Sequence, residues 1–317
     1  IDQTLFTHSG GTFNHNSGTV VINPNQSGCT QRTFTIDVIA ATVFNSFQIN
    51  GTQSCGLNPI ITTALADVVN CNLNFTHTDG IINGQFSLQG DLIIAGGSDG
   101  GTGTITVNGT GTETYTVSAG SPRTCKLVVN KSAGVFEPAP GTTELAVQSF
   151  SLLAGDFIAP TGNLNVGGTW ALDQTLFLHS GGNFSHNNGT VLVNPNQSGC
   201  TQRTFTMDVI PATLFNSIHV NGTQSCGLNP IIATAAGDVA KCINDITHTD
   251  GIINGQFELQ GNLIINAGSD GGTGVITVNG TGAETYTVAG GTPRTCQVVV
   301  DKSAGAFTPA FGTTDFL

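Results

Sequence analysis

Acidic residues that recur at a fixed distance are the first candidates for chemistry in this sequence. A polysaccharide lyase or hydrolase would use clustered carboxylates as acid and base, together with a cation that stabilises developing charge. Each acid here lies in a different turn or strand segment, so only stacking of successive segments would bring them together. We therefore rank a glycan-cleaving enzyme below non-enzymatic functions and predict no catalytic residue. The acids are Asp2, Asp37, Asp67, Asp79, Asp99 and Glu113, each with a second copy in the later half of the chain.

One glycine-rich turn offers a metal hypothesis. GGSDGGTG at 96–103 returns as AGSDGGTG at 267–274 and resembles the glycine–aspartate loops of calcium-binding β-rolls. Calcium takes six to eight oxygen ligands, whereas each copy supplies one aspartate. We name Asp99 and Asp270 as calcium candidates, favour a tight turn as the alternative, and predict no other cofactor.

The cysteines suggest disulfides. Four per copy is an even number, and none has the C-x-x-C spacing of a zinc or redox motif. Of the three connectivities that four cysteines allow, we favour Cys29–Cys55 with Cys71–Cys125, because the interval from 29 to 55 is close to one coil of a stacked fold. The same pairing in the second copy gives Cys200–Cys226 and Cys242–Cys296. Disulfides imply an oxidising compartment. The eight residues are Cys29, Cys55, Cys71, Cys125, Cys200, Cys226, Cys242 and Cys296.

Histidines recur as well, but no third ligand accompanies them in the pattern that a metal site needs. We interpret all seven as half-exposed strand residues: His8, His15, His77, His179, His186, His219 and His248. No G-x-S-x-G elbow, phosphate loop or dinucleotide fingerprint occurs in the sequence.

Composition narrows the partners. Charged residues are 9% of the 317, against roughly 25% in ordinary soluble domains, and the formal net charge is -12. So few cations cannot neutralise a nucleic-acid backbone, which argues against nucleic acid as a partner. No apolar run reaches the length of a membrane helix, so we predict no membrane insertion.

An internal repeat organises the whole chain. IDQTLFTHSGG at residue 1 returns as LDQTLFLHSGG at 172, and THTDGIINGQF at 76 returns at 247, with the same offset throughout. We divide the chain into repeat 1 (1–146), an inter-repeat segment (147–171) that has no second copy, and repeat 2 (172–317).

Short strands fill the repeats. TFTIDV, DLIIA and TITVN alternate apolar and polar residues and are separated by Gly and Asn turns, which predicts an all-β fold. We favour a parallel β-helix (β-solenoid) with coils of about 20–25 residues, and keep tandem β-sandwich domains as the alternative.

Three segments carry a family resemblance. NLNVGGTW with FSHNNGTV (within 159–194), GIINGQFSLQG with GGSDGGTGTITVNGTGTETYT (within 76–117), and VNKSAG (within 129–139) look like recurring segments of large repetitive bacterial cell-surface proteins. The resemblance implies a right-handed parallel β-helix, secreted, in an adhesin-like or filament-like role. The cysteines depart from that pattern.

These observations predict an extracellular or cell-surface structural protein that is part of a disulfide-stapled fibre, sheath or adhesin stalk. The chain opens on IDQTLF and closes on AFGTTDFL, both apolar and strand-like. We expect such ends to self-associate through repeat stacking or head-to-tail contacts that build a filament. A carbohydrate- or surface-binding adhesin module, with glycans as partners, is the alternative.

Overall fold

A computed structural model describes residues 3–120 and 122–313, and 58% of these lie in β-strands with no helix among them. The described residues therefore include no helix long and apolar enough to cross a membrane. The prediction of an all-β protein is confirmed.

The strands of the first part of the chain are β1 (Gln3–His8), β2 (Thr19–Ile22), β3 (Asn25–Gln26), β4 (Thr33–Val38), β5 (Val43–Phe44), β6 (Ser46–Asn50), β7 (Thr52–Gln53), β8 (Ile60–Thr63), β9 (Val69–Cys71), β10 (Asn74–Ile82), β11 (Gln85–Leu88), β12 (Asp91–Val107), β13 (Glu113–Val117), β14 (Arg123–Pro138), β15 (Leu145–Val147) and β16 (Phe150–Ile158). The remaining strands are β17 (Asn163–Trp170), β18 (Gln174–His179), β19 (Asn183–Ser185), β20 (Thr190–Gln197), β21 (Thr204–Val209), β22 (Leu214–Phe215), β23 (Ser217–Asn221), β24 (Thr223–Gln224), β25 (Ile231–Thr234), β26 (Ala240–Cys242), β27 (Ile246–Ile253), β28 (Gln256–Leu259), β29 (Leu263–Ser269), β30 (Val275–Val278), β31 (Glu284–Val288), β32 (Gln297–Val300) and β33 (Phe307–Pro309).

The chain forms two compact units. Unit 1 comprises Ile1–Ile158 with Gly181–Asn183, and unit 2 comprises Ala159–Ser180 with Phe184–Leu317. The inter-repeat segment predicted at 147–171 divides between them, because β16 belongs to unit 1 and β17 to unit 2.

Strand pairing within each unit is parallel among the described strands. In unit 1, β2 pairs with β6, β6 with β10, β10 with β12, and β12 with β13, all in parallel. A two-residue hairpin cannot join parallel strands, so each pair of neighbouring strands is joined by a longer crossover connection. The sandwich alternative is wrong on this point, because sandwiches are built from antiparallel sheets.

Successive strands lie at unequal distances along the sequence. The interval between paired residues is short where Asn74 faces Asp91, longer where Thr19 faces Ser46, and longest where Gln3 faces Phe34. The predicted coil length of about 20–25 residues is therefore too narrow a range. The exposed loop at residues 27–31, which carries Cys29, lies within both of the longer intervals.

Inward-facing apolar residues form the core of each unit. In unit 1 the parallel register aligns Val20, Phe47, Phe75, Leu92 and Tyr115 across consecutive strands. The corresponding row of unit 2 contains Leu164, Val191, Ile218, Ile246, Leu263 and Tyr286. Because strand residues alternate sides, one apolar residue in two is enough to build these continuous rows.

Candidate functional site

A buried histidine lies beside one strand irregularity in each unit, at the register shift after His77 in β10 and after His248 in β27. His77 of β10 is fully buried, and its Nε2 lies 2.8 Å from the carbonyl oxygen of Gly80. A carbonyl oxygen only accepts, so Nε2 carries the proton and Nδ1 accepts from the Thr124 hydroxyl at 3.0 Å. Burial lowers the pKa of His77 to about 4, so the imidazole is neutral near neutral pH.

Unit 2 repeats this arrangement. His248 contacts Gly251 O at 2.8 Å and the Thr295 hydroxyl at 3.1 Å, and burial lowers its pKa too. His179 is also buried, with its Nδ1 2.8 Å from the Thr213 hydroxyl. The expectation of half-exposed histidines is therefore wrong at these positions, because inward polar partners allow the rings to face the core.

Two of the predicted acids meet at the same irregularity of β10. The backbone N–H of Gly80 donates to Asp79 Oδ1 at 2.7 Å and to Asp99 Oδ2 at 3.3 Å. Partial burial raises the pKa of both carboxyl groups, and the charge of Asp79 raises that of Asp99 further. The parallel register between β10 and β12 pairs Asp79 with Gly97 and Gly80 with Ser98. Asp99 follows Ser98, so strand pairing brings together two acids that are 20 residues apart in the sequence.

The spacing of this acid pair limits its chemistry. Both carboxylates touch one backbone nitrogen, whereas glycosidase carboxylates stand about 5–9.5 Å apart to enclose the scissile bond. A sugar ring does not fit between groups that share one N–H donor. The pair in unit 2, Asp250 and Asp270, shares the Gly251 N–H in the same way.

The calcium candidates Asp99 and Asp270 therefore each have one acidic neighbour. Within residues 3–120 and 122–313, no group of three His, Cys, Asp or Glu side chains is arranged to hold a metal ion. A calcium ion needs six to eight oxygens. Each site therefore supplies two carboxylates, well short of that number. Residues 96–103 lie within strand β12, where Gly100 and Gly101 have positive φ, so the tight turn favoured from the sequence is instead a bend inside a strand.

The other predicted acids lie elsewhere. Asp67 Oδ2 accepts from the Val38 N–H at 2.9 Å, which ties one turn to the neighbouring strand, and Asp238 does the same for Val209 at 2.8 Å. Asp37 and Asp67 line an open groove of about 700 Å³ together with Ser9, Asn70 and Ser87. Its lining has no aromatic side chain among the described residues, so it lacks the usual stacking platform for a sugar. Asp2 lies outside the described residues.

A buried ion pair sits in each unit. Lys131 of β14 contacts Glu113 of β13, with the lysine side chain fully buried and the glutamate side chain 8% exposed. The ammonium also donates to the carbonyl oxygen of Gly109 at 2.8 Å, and Glu113 Oε1 accepts from the Gly111 N–H at 2.9 Å. Burial lowers the pKa of Lys131.

The second pair has the same partners. Lys302 contacts Glu284 and donates to Gly280 O at 2.6 Å, and the hydrogen bond from Lys302 is the main cause of the lowered pKa of Glu284. Our sequence reasoning listed Glu113 among the acids but missed the lysines. The signal that could have identified them is the position of each lysine, two residues after an apolar segment (LVVNK and VVVDK). Such a lysine is unusual in a chain with only 9% charged residues.

The cysteines divide into two groups. Cys29–Cys55 and Cys200–Cys226 are disulfides, each with Cα atoms 5.1 Å apart. Cys71, Cys125, Cys242 and Cys296 are free and buried, so the predicted Cys71–Cys125 and Cys242–Cys296 bridges are wrong. These thiols occupy inward core positions, and burial raises the pKa of Cys125 to about 12, which keeps the thiol protonated and unreactive.

Each unit also has an uncovered edge among its described strands. In unit 1, Leu127–Val129 of β14 lie opposite Phe150–Leu152 of β16, and Val129 is 0% exposed. The equivalent strand of unit 2, β32, pairs with β30 alone, and Val300 is 55% exposed. The edge at β32 therefore shows unpaired backbone groups and apolar side chains.

At the first strands of the repeats, the covered copy is in unit 2 and the uncovered copy is in unit 1. In unit 2, β20 lies between β17 and β23, and Val191 is 3% exposed. In unit 1, the equivalent β2 pairs with β6 and has no counterpart of β17 among the described strands. Its Val20, the counterpart of Val191, is half-buried instead of buried. The covering strands β16 and β17 both come from the segment 147–171, which occurs once.

No protein-family model, curated protein or solved structure matches this chain. The resemblance to repetitive bacterial surface proteins stays a prediction, carried by the segments quoted above.

Proposed function

We propose that this protein is an extracellular structural protein, a segment of a disulfide-stapled fibre, sheath or adhesin stalk that extends by stacking of its 171-residue repeats. The carrying observation is the contrast between covered and open copies of the same strands. β14 is covered by β16, and β20 by β17, whereas β32 and β2 lack such cover within the described chain.

The stacking chemistry follows from this contrast. An edge strand with free N–H and C=O groups and a row of apolar side chains is a template for another strand. A strand like β16 on β32, or like β17 on β2, would complete both ladders, from the same polypeptide or from a second copy. Contacts of this head-to-tail kind produce filaments when the rotation between copies does not close a ring.

Within this proposal the coils wind as a right-handed parallel β-helix. Parallel pairing with inward apolar rows supports a solenoid, and right-handed crossover is the general rule for parallel strands in one sheet. The two disulfides support an oxidising compartment such as the cell surface or the medium.

Electron microscopy of the 317-residue chain tests the proposal. We expect filaments whose length grows with protein concentration, and loss of filaments in Val300→Asp, because the charge would lie in the joint. Leu65→Asp is the matched control, since Leu65 is 99% exposed in a turn and belongs to neither edge strand. Filament formation that is equal in both variants would contradict the role of the β32 edge.

A further inference from the structure

We propose that Lys131 and Glu113, and likewise Lys302 and Glu284, condense spontaneously into side-chain amides that cross-link neighbouring strands covalently. This modification is independent of the filament proposal, because it depends only on contacts inside one unit.

The first support is the burial of both partners in direct contact. The Lys131 side chain is fully inaccessible to solvent, and that of Lys302 is 5% exposed, while each glutamate side chain is 8% exposed. Isolated charges in such a site are strongly disfavoured, so a neutral product gains relative to the ion pair. Holding two reacting groups together in a fixed geometry also replaces a bimolecular encounter with an intramolecular step.

The second support is the hydrogen-bond inventory. A lysine ammonium has three hydrogens to donate, and within the described part of the chain Lys131 Nζ has two acceptors, Glu113 and Gly109 O. The amide product would have one N–H, which Gly109 O accepts, and one C=O, whose oxygen accepts from the Gly111 N–H. The surrounding groups therefore provide a hydrogen-bond partner for both the N–H and the C=O of the amide, but for only two of the three N–H groups of the ammonium.

The third support is recurrence of the whole arrangement. Lys302 has the same two acceptors, Glu284 and Gly280 O, and Glu284 Oε1 accepts from the Gly282 N–H at 2.8 Å. An adventitious surface contact would not preserve all four groups in both copies.

The reaction balances without another reagent. A proton passes from Nζ to Glu113 Oε2 and gives the neutral amine and acid. The nitrogen lone pair then attacks Cδ, and the Gly111 N–H stabilises the negative charge that develops on Oε1. A second proton passes from nitrogen to Oε2, the Cδ–Oε2 bond breaks, and one water molecule leaves. The new bond is Nζ–Cδ, and no atom is oxidised or reduced.

Intact mass spectrometry of the reduced, denatured chain tests the inference. We expect a mass lower than that of the sequence by two water molecules, and by one in Lys131→Met or Glu113→Ala. Lys126→Met is the matched control, because Lys126 lies earlier on β14, outside the pair, and should keep both links. Tryptic digestion should also yield a branched product that joins the peptide ending at Arg123 to the one beginning at Leu127.

A wild-type mass equal to that of the sequence would overturn the proposal. This measurement needs no variant, so it decides the matter even if a substitution prevents folding. Loss of two water molecules without the branched peptide would also overturn it, since the dehydration would then lie elsewhere.

Discussion

Val129 and Val300 occupy the same position in two copies of one repeat, yet one is fully buried and the other 55% exposed. Their neighbours along the strand are closely similar, so local sequence does not set the difference. What differs is the following strand: Val129 lies opposite Leu152 of β16, and Val300 has no such partner among the described residues. Burial at this position is therefore a property of the neighbouring strand, since the strand that covers Val129 has no counterpart over Val300 among the described residues.

Residues that lie away from the edge strands should contribute equally to the stability of the two units. The disulfides test this best, because their removal should have the largest effect on the free energy of unfolding. Replacing Cys29 and Cys55 by serine should destabilise unit 1 by about 3 kcal/mol, through freedom returned to the unfolded chain. The same change at Cys200 and Cys226 should cost unit 2 a similar amount. Hydrogen exchange of strand amides in each unit measures both, and strongly unequal losses would show that the copies differ beyond their edges.

Acid should weaken both units through their buried histidines. An unfolded histidine takes up a proton near pH 6.5, whereas folded His77 does so only at about 4. The unfolded state therefore binds more protons in this interval, and stability should fall by about 3 kcal/mol as the pH drops from 6.5 to 4.

Substituting this histidine isolates its contribution. The raised pKa values of Asp79 and Asp99 act in the opposite direction, since their folded forms gain protons more readily as the pH falls. His77→Gln removes only the histidine effect, so its stability should decline less steeply than that of the wild type over this interval. Denaturant unfolding at a series of pH values checks this, and parallel curves for the two proteins would refute the assignment.

The valine pair gives the most direct test of the contrast itself. Val129→Ala should cost about 2 kcal/mol, from lost apolar burial and the cavity that remains. Val300→Ala should change stability by less than about 0.5 kcal/mol at low protein concentration, as exposed substitutions do. If assembly covers β32, the cost at position 300 should approach that at position 129 as the concentration rises.

The sequence was informative where a pattern depends on periodicity. Alternation in TFTIDV and DLIIA predicted strands with alternating burial, and the interval between Cys29 and Cys55 predicted the disulfide that joins them. The predicted Cys71–Cys125 disulfide is wrong, because both thiols are free in the core. Which core residues meet depends on which strands are neighbours, and the cysteine spacing does not give that.

Contacts between particular side chains could not be predicted, because the spacing between paired strands is unequal. The interval between paired strands is much shorter from Asn74 to Asp91 than from Gln3 to Phe34. No fixed period therefore indicates that Asp79 meets Asp99 or that Lys131 meets Glu113. Such contacts depend on the length of each intervening turn, and no repeating signal in the sequence encodes that length.

Solution scattering of the 317-residue chain over a concentration series, with and without a peptide of sequence 147–171, tests the central claim most directly. We predict that particles elongate at constant cross-section as concentration rises, because open edges at β2 and β32 associate. The peptide carries the sequences of both covering strands and should stop this elongation at a defined length. A compact particle whose dimensions are the same at every concentration, and unchanged by the peptide, would contradict assembly through these edges.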